Sequence, residues 1–219
     1  MKEQCTEERF LTDVGGHQIE IIRDDGLYRH LHFYEPECPW NKYFDIVTWP
    51  GYLAYVGDMG DYAFSRIQDM FCFFRRDDRN GMDINPSYWA EKLRAGCREG
   101  YEKFDPDTFR EVIKEERRGL IRYIYRNGES TQEERREFWV DVDRYVLAYA
   151  EDGEHEALRV ANEFECEISG RKYRFEDIWE RNFRQYTFHY LWACYAIVWG
   201  IEQYDRATEL PAIAEKETA

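Results

Sequence analysis

The run from Thr187 to Ile201, TFHYLWACYAIVWGI, limits the fold of this chain more than any other stretch. Wound as a helix it is apolar on nearly every side, so it has no face to offer water and must be enclosed by the rest of the protein. With only about fifteen residues, and with His189 inside it, it falls short of the ~20 that span a bilayer. A buried helix in a soluble protein is expected. The pattern upstream extends that helix from about Glu176 to Tyr204. Trp179, Phe183, Tyr186, Tyr190, Ile197 and Ile201 form its inner stripe, and Leu191, Trp192, Tyr195 and Val198 widen it. Leu191, Tyr195 and Val198 should be nearly inaccessible. The short polar tail over 206–219 is expected to fray.

The first third supplies something to enclose such a helix. Gln18–Arg23 and Leu27–Tyr34 flank the turn Asp24-Asp25-Gly26 and read as a hairpin. In the second run Leu27, Arg29, Leu31 and Phe33 share one face; Tyr28, His30, His32 and Tyr34 share the other. The two prolines of Glu35–Asn41 make that segment a loop. Tyr43–Trp49 and Tyr52–Val56 form a second hairpin across Pro50-Gly51, and the turn Gly57-Asp58-Met59-Gly60 leads into Asp61–Ser65. An antiparallel sheet of four or five strands is expected.

Beyond Ser65 the apolar period lengthens towards 3.6. A short helix is expected over Ser65–Arg75, with Ile67, Met70, Phe71 and Phe74 on one side. Asn85-Pro86-Ser87 opens a helix through Tyr88, Trp89 and Leu93. Asp105-Pro106-Asp107 opens another, carrying Phe109, Val112, Ile113, Leu120, Ile121 and Ile124 to about Arg126, where Asn127-Gly128 stops it. Ser130-Thr131-Gln132-Glu133 reads as a capping box for a helix burying Phe138, Val142, Tyr145, Val146 and Tyr149. Glu163–Ile168 and Lys172–Phe175 suit a hairpin around Ser169-Gly170. The class is therefore α+β: an N-terminal antiparallel β-sheet followed by a C-terminal helical layer with a long buried aromatic helix. Nothing in the composition breaks the chain, so one compact domain over 1–219 is expected, mainly β over 10–66 and mainly α over 67–205.

Charge narrows the partners. Thirty basic residues against 45 acidic ones give a net charge of −15, which argues against direct nucleic-acid binding and against anionic membranes. The opening MKEQCTEERF has neither the basic nor the apolar region of a signal peptide, so a cytoplasmic protein is expected. Cys5, Cys38, Cys72, Cys97, Cys166 and Cys194 include no CxxC pair, and reduced thiols without a zinc site or disulfide framework fit that setting.

Several of these strings are familiar together. Asp24–His30 (DDGLYRH), Phe44–Leu53 (FDIVTWPGYL), Gly57–Gly60 (GDMG), Asn85–Trp89 (NPSYW), and His189–Ile201 ending in Tyr204-Asp205 resemble a family of small uncharacterised proteins of tailed phages and prophages. The likeness runs from Phe10 to Asp205. It implies phage origin and a bacterial host cytoplasm, and it carries over no functional residues, because the family has no established activity. Small accessory phage proteins often counter host defence, an association rather than a derivation.

Few residues point to chemistry. His30 and His32, two apart on a strand, aim at one face, where Asp45 or Glu20 on a neighbouring strand would complete a metal site. No motif anchors a third ligand, so no metal and no cofactor are expected. Asp58 and Asp61, beside Gly57 and Gly60, suit an acid/base pair or a cation, and turn chemistry explains them equally. His17, next to Gly15-Gly16, is a turn residue. No GK[ST] follows the Gly57/Gly60 pair, no GxSxG is present, and no cysteine has a histidine near in sequence. No catalytic residue is assigned.

Charge distribution says more. Between Asp141 and Glu167, two arginines face nine acids: Asp141, Asp143, Glu151, Asp152, Glu154, Glu156, Glu163, Glu165 and Glu167. Arg117–Arg136 holds six arginines against Glu129, Glu133 and Glu134. A solvated face and favourable placement near helix ends account for both in the simplest way. The sharper reading makes the acidic stretch, with Trp49, the partner-binding surface of a non-enzymatic protein. It would block a host protein or protein–nucleic-acid complex, a defence component in the phage setting, by imitating a phosphate backbone. A metal-dependent hydrolase using His30, His32 and the loop aspartates is the alternative. A self-assembling structural or DNA-metabolism accessory, a homo-oligomer, is a third.

Overall fold

The structure is a computed structural model that describes the backbone over 4–75, 81–128 and 130–217, with side chains as far as Glu209. In chain order the elements are α1 (Glu7–Asp13), β1 (Gln18–Asp25), β2 (Tyr28–Tyr34), β3 (Phe44–Trp49), β4 (Tyr52–Gly57), β5 (Gly60–Ser65), α2 (Met70–Phe74), α3 (Pro86–Ala90) and β6 (Leu93–Gly96). There follow β7 (Glu102–Phe104), α4 (Pro106–Arg126), α5 (Gln132–Tyr145), α6 (Glu154–Glu163), β8 (Glu165–Ile168), β9 (Arg171–Arg174), β10 (Arg184–Tyr186) and α7 (Phe188–Glu217). Strands β1 to β6 form one sheet in sequence order, β7 pairs with β10, and β8 with β9. The chain is α+β, with a six-stranded antiparallel sheet ahead of most of its helices. It divides into two compact units, Met1–Glu102 with Tyr186–Ala219, and Lys103–Gln185. The single-domain expectation contained no such division, because no linker composition marks either crossing.

In the first unit the pleat puts Leu31, Phe33, Phe44, Ile46, Leu53, Tyr55, Tyr62 and Phe64 on one buried face, in a register that pairs Leu31 with Ile46 and Phe33 with Phe44. α7 lies against that face. Gly200 permits the approach: a Cβ there would stand 2.6 Å from Ile46 Cδ1 and 3.1 Å from the Phe33 ring. Rings fill the rest, with Phe44 edge-on to Trp192 at 5.6 Å and Phe10 of α1 edge-on to Trp192 at 4.9 Å. α1, which the sequence reading did not foresee, closes the side of α7 that the sheet leaves open. Its last residue, Asp13, accepts from Trp192 Nε1 at 3.1 Å and from Lys42 Nζ at 2.6 Å. Arg29 lies on the inner row, as expected, where its guanidinium makes a two-pronged bond to Asp69 at 3.0 and 3.1 Å and covers the Phe71 ring at 4.4 Å.

Several expectations are corrected here. The long helix does not begin near Glu176. Residues 176–187 hold a 3-10 turn (Ile178–Glu180) and β10; α7 starts after Thr187, whose Oγ1 accepts the Tyr190 amide at 3.2 Å. The apparent stripe of Trp179, Phe183, Tyr186 and Tyr190 was a chance period: Trp179 is 64% exposed, and Phe183 packs on Phe109 in the second unit. Leu191 and Val198 are buried, but Tyr195 is half-buried. The backbone of the tail is helical to Glu217, and 218–219 lie outside the described residues. The helix at Asn85 ends at Ala90, and Leu93 instead opens β6, a sixth strand pairing with β5. The helix expected from Ser65 starts at Met70, capped by Asp69, and Ile67 is exposed.

In the second unit α4 has its expected start, with Asp105 accepting the Thr108 amide at 2.8 Å. The capping box of α5 lies one residue later than read, on Thr131 and Glu134. Phe138, Val142 and Val146 are buried as expected, while Tyr145 and Tyr149 are exposed because the chain turns away after Tyr145. The β8–β9 hairpin turns at Ser169-Gly170. α6, inside the acidic stretch, was not foreseen; Ala157 and Ala161 face the core and its carboxylates face out.

Candidate functional site

The outer face of the six-stranded sheet brings part of the expected metal constellation together. Asp45 Oδ1 lies 3.1 Å from His30 Nε2 and 2.9 Å from His32 Nδ1. One carboxylate oxygen is thus shared by two imidazoles, each using a ring N–H as donor. Glu20 lies opposite His32 on β1. Asp61 does not join them: Val56 separates it from Asp45 in the register, and two strand spacings are about 10 Å. Asp58 is held in its turn, where Oδ2 accepts the Lys42 amide at 2.9 Å. Among the described residues no group of three or more His, Cys, Asp or Glu side chains is arranged to hold a metal ion. Trp49 stacks on Tyr52 with centroids 5.2 Å apart, and both are exposed. His17 Nε2 sits 3.0 Å from the Lys42 carbonyl.

The cysteines are all free. Burial pushes the Cys5 thiol up to about 12 and Cys166 up to about 11, and it raises Cys194 as well. Raised values leave these sulfurs protonated and weak as nucleophiles.

The acidic stretch is not a bare negative face. Arg117 pairs with Asp143, Arg110 with Glu151, Arg184 with Glu154, Arg159 with Glu156 and Glu163, and Lys172 with Glu165. Asp141, Asp152 and Glu167 are not among these pairs. Of the three, Asp141 and Glu167 line a cleft of about 550 Å3 between α5, α6 and β8. Glu134, Glu137, Glu163 and Glu165 complete its carboxylates, and Phe138, Tyr145, Val160, Phe164 and Ile168 are its apolar lining. No basic side chain lines it among the described residues.

Each carboxylate reaches the cleft for a local reason. Glu137 and Asp141 are four apart on α5 and share a helix face. Glu165 and Glu167 alternate with Cys166 on β8 and so leave its face together. Glu134 is committed to structure: it accepts the Thr131 amide and the Ser169 amide, both at 2.8 Å. The Thr131 amide and hydroxyl, with help from Ser169, hold its carboxyl down to about 2. The field of the cleft is felt by Cys166, whose thiol is raised first by burial and then by Asp141 and Glu165. The sequence reading included Asp141, Glu163, Glu165 and Glu167 and missed Glu134 and Glu137, because its window opened at Asp141. Helical spacing back from Asp141 on α5 is the signal that finds Glu137. Glu129, counted against the basic cluster, lies outside the described residues.

No family model, curated protein or solved structure matches this chain. Among the described residues no helix is long and apolar enough to cross a membrane.

Proposed function

We propose that this chain is a non-enzymatic interaction protein that seats a basic segment of a partner protein in the acidic cleft of its second unit. The observation that carries the reading is the cleft's composition: six carboxylates around an apolar lining, with no basic side chain among its described lining residues. Three of the six, Glu137, Asp141 and Glu167, stand outside the ion pairs. Lysine and arginine are built to match, with an apolar stem for the lining and a cationic head for the rim. The cleft volume lies in the range of ordinary ligand sites. The resemblance to phage and prophage accessory proteins supplies the setting, a host defence component bound in the bacterial cytoplasm and blocked by occupancy. Broad mimicry of a phosphate backbone is the weaker version, since most of the acidic stretch is spent on internal pairs. The hydrolase reading has lost Asp58 and Asp61 from its histidines.

Peptides rich in Arg and Lys test this directly, with acidic peptides of matched length as controls. Wild type should bind the basic peptides, more slowly and weakly as salt rises. Glu137→Lys with Asp141→Lys should slow association at low salt and remove most of the salt dependence, leaving the fold intact because neither carboxylate is in an ion pair. Equal association rates for the double variant and wild type, or no binding of any basic peptide, would sink the reading.

A further inference from the structure

Gly119 lies in the interior of α4, where glycine costs a helix stability relative to alanine. Its neighbours do not explain it: a Cβ there would meet nothing within 4 Å, in contrast to Gly200. The helix surface at Gly119 opens instead onto a groove of about 780 Å3 between α4 and β9, lined on its apolar side by Leu120, Tyr123, Tyr173 and Phe175. Tyr123 is 59% exposed, although the ring belongs to the lining.

The charge around this groove is mixed, unlike that of the acidic cleft, and its cations outside ion pairs are arginines. Arg174 lines it, and no ion pair among the described residues engages it. Arg122 and Arg126 follow Gly119 by three and seven residues, so helical spacing puts them on its face. Both are exposed and likewise outside the ion pairs. Two lining carboxylates are already engaged, Glu116 with Arg181 and Glu165 with Lys172. Glu176, which also lines the groove, and Glu115 one turn before Gly119 are acids outside those pairs.

We infer that this groove binds a nucleotide, with the base laid on the bare helix surface at Gly119 against Tyr123 and Tyr173, and the phosphate held by Arg122, Arg126 or Arg174. A planar base needs aromatic walls and close approach to one flat surface, which a side chain at 119 would obstruct. Its phosphate needs unpaired guanidinium groups within a nucleotide's length. The net charge of −15 does not oppose this, because a bound phosphate meets the local field and net charge acts mainly on the approach. The inference does not rest on the acidic cleft, although Glu165 lines both.

The shared chemistry is a base with its phosphate, from a free nucleotide or from a single strand. The experiment is titration of the whole protein with AMP and UMP by calorimetry, and with a labelled ten-nucleotide oligo(dT) by anisotropy, at low salt. Wild type should bind at least one probe; mononucleotide binding points to a free nucleotide, and oligomer binding alone points to a strand. Gly119→Leu fills the surface with a good helix former, and Arg122→Gln, Arg126→Gln and Arg174→Gln together remove the anion contacts without touching the core. Each should weaken binding by roughly tenfold or more, the scale of one lost stacking contact. Glu137→Lys with Asp141→Lys should leave nucleotide binding at least as tight as in wild type. Failure of wild type to bind any probe overturns the inference, as does unchanged binding in the arginine variant, which decides the matter if Gly119→Leu does not fold.

Discussion

The two units hold themselves together differently. In the first, rings touch rings across the sheet and α7: Phe10 on Trp192, Trp192 on Phe44, Phe44 on Tyr55, Tyr62 on Tyr190. The charges admitted there, Asp13 and the Arg29–Asp69 pair, are tied to several partners each. The core of the second unit has rings too, Phe109 on Phe183 and Phe164 on Phe138 and Phe175, set among Ala150, Ala157, Ala161 and Val142, and its surface is laced with ion pairs. Its most enclosed cation, Arg117, lies 3.6 Å above the Trp139 ring and pairs with Asp143. Ring contacts run right through the core of the first unit; the second adds to a smaller set of rings a mesh of surface ion pairs. Charges left over from pairing are then concentrated where they can meet a ligand, at the acidic cleft and the arginine-edged groove.

The largest test of this contrast compares one residue from each unit. Trp192 is fully buried and hydrogen-bonded to Asp13, so Trp192→Ala should cost about 3–5 kcal/mol. Arg117→Ala removes a stacked guanidinium, but Asp143 is half exposed and regains water, so about 1–3 kcal/mol is expected. Denaturant titration gives the totals, and amide exchange in α7 and α5 tells which unit loosens. A greater cost at Arg117 than at Trp192 would reverse the ordering and with it the idea that rings dominate.

A smaller effect should appear on acidification, through Asp13 and Asp69 in the first unit as through Glu134 in the second. Burial would raise the Asp13 carboxyl, but hydrogen bonds from Lys42 and Trp192 and the charges of Lys42 and Arg9 hold it below the usual carboxylate range. Asp69 is held down in the same way, against burial, by Arg29 and the Phe71 amide. A carboxyl depressed in the folded state contributes stability that is complete above its unfolded value of ~3.9 and is lost as pH falls through the folded value. The first unit should therefore be level through neutral pH and weaken below about pH 4. Following Trp fluorescence through an acid titration, Asp13→Asn should be less stable than wild type near neutrality and should flatten part of the acid loss. An acid limb identical to that of wild type would mean that Asp13 carries none of it.

What the sequence disclosed follows the same division. The sheet was legible because alternation and turn residues are local: Asp24-Asp25-Gly26 and Pro50-Gly51 place their hairpins without reference to distant contacts. The caps at Asp105 and near Thr131 were legible for the same reason. The start of α7 was not, because Trp179 and Phe183 continue its period by chance and only tertiary context sends Phe183 to Phe109 in the second unit. β6 was hidden behind a helix cap at Asn85 that holds for a single short helix. At the candidate sites, a tally of acids found four of the six cleft carboxylates and overstated the surface, since ion pairs such as Arg184–Glu154 join residues thirty positions apart. Gly119 gave no signal until the space above it was known.

The smallest expected effect is a gain. Glycine to alanine in a helix interior is favourable by ~1 kcal/mol when the new methyl group meets no obstacle. At Gly119 nothing stands within 4 Å of the added Cβ, so Gly119→Ala should stabilise the second unit by up to about that amount and raise amide protection along α4. Gly200→Ala makes the opposite prediction in the first unit, where the methyl group would run into Ile46 and Phe33. Two glycines in two helices thus sort by whether the fold itself uses the missing side chain. Thermal unfolding of the two variants side by side is the measurement. If Gly119→Ala destabilises the protein as Gly200→Ala should, then α4 needs its glycine for folding, and the bare surface above it is no sign of a ligand.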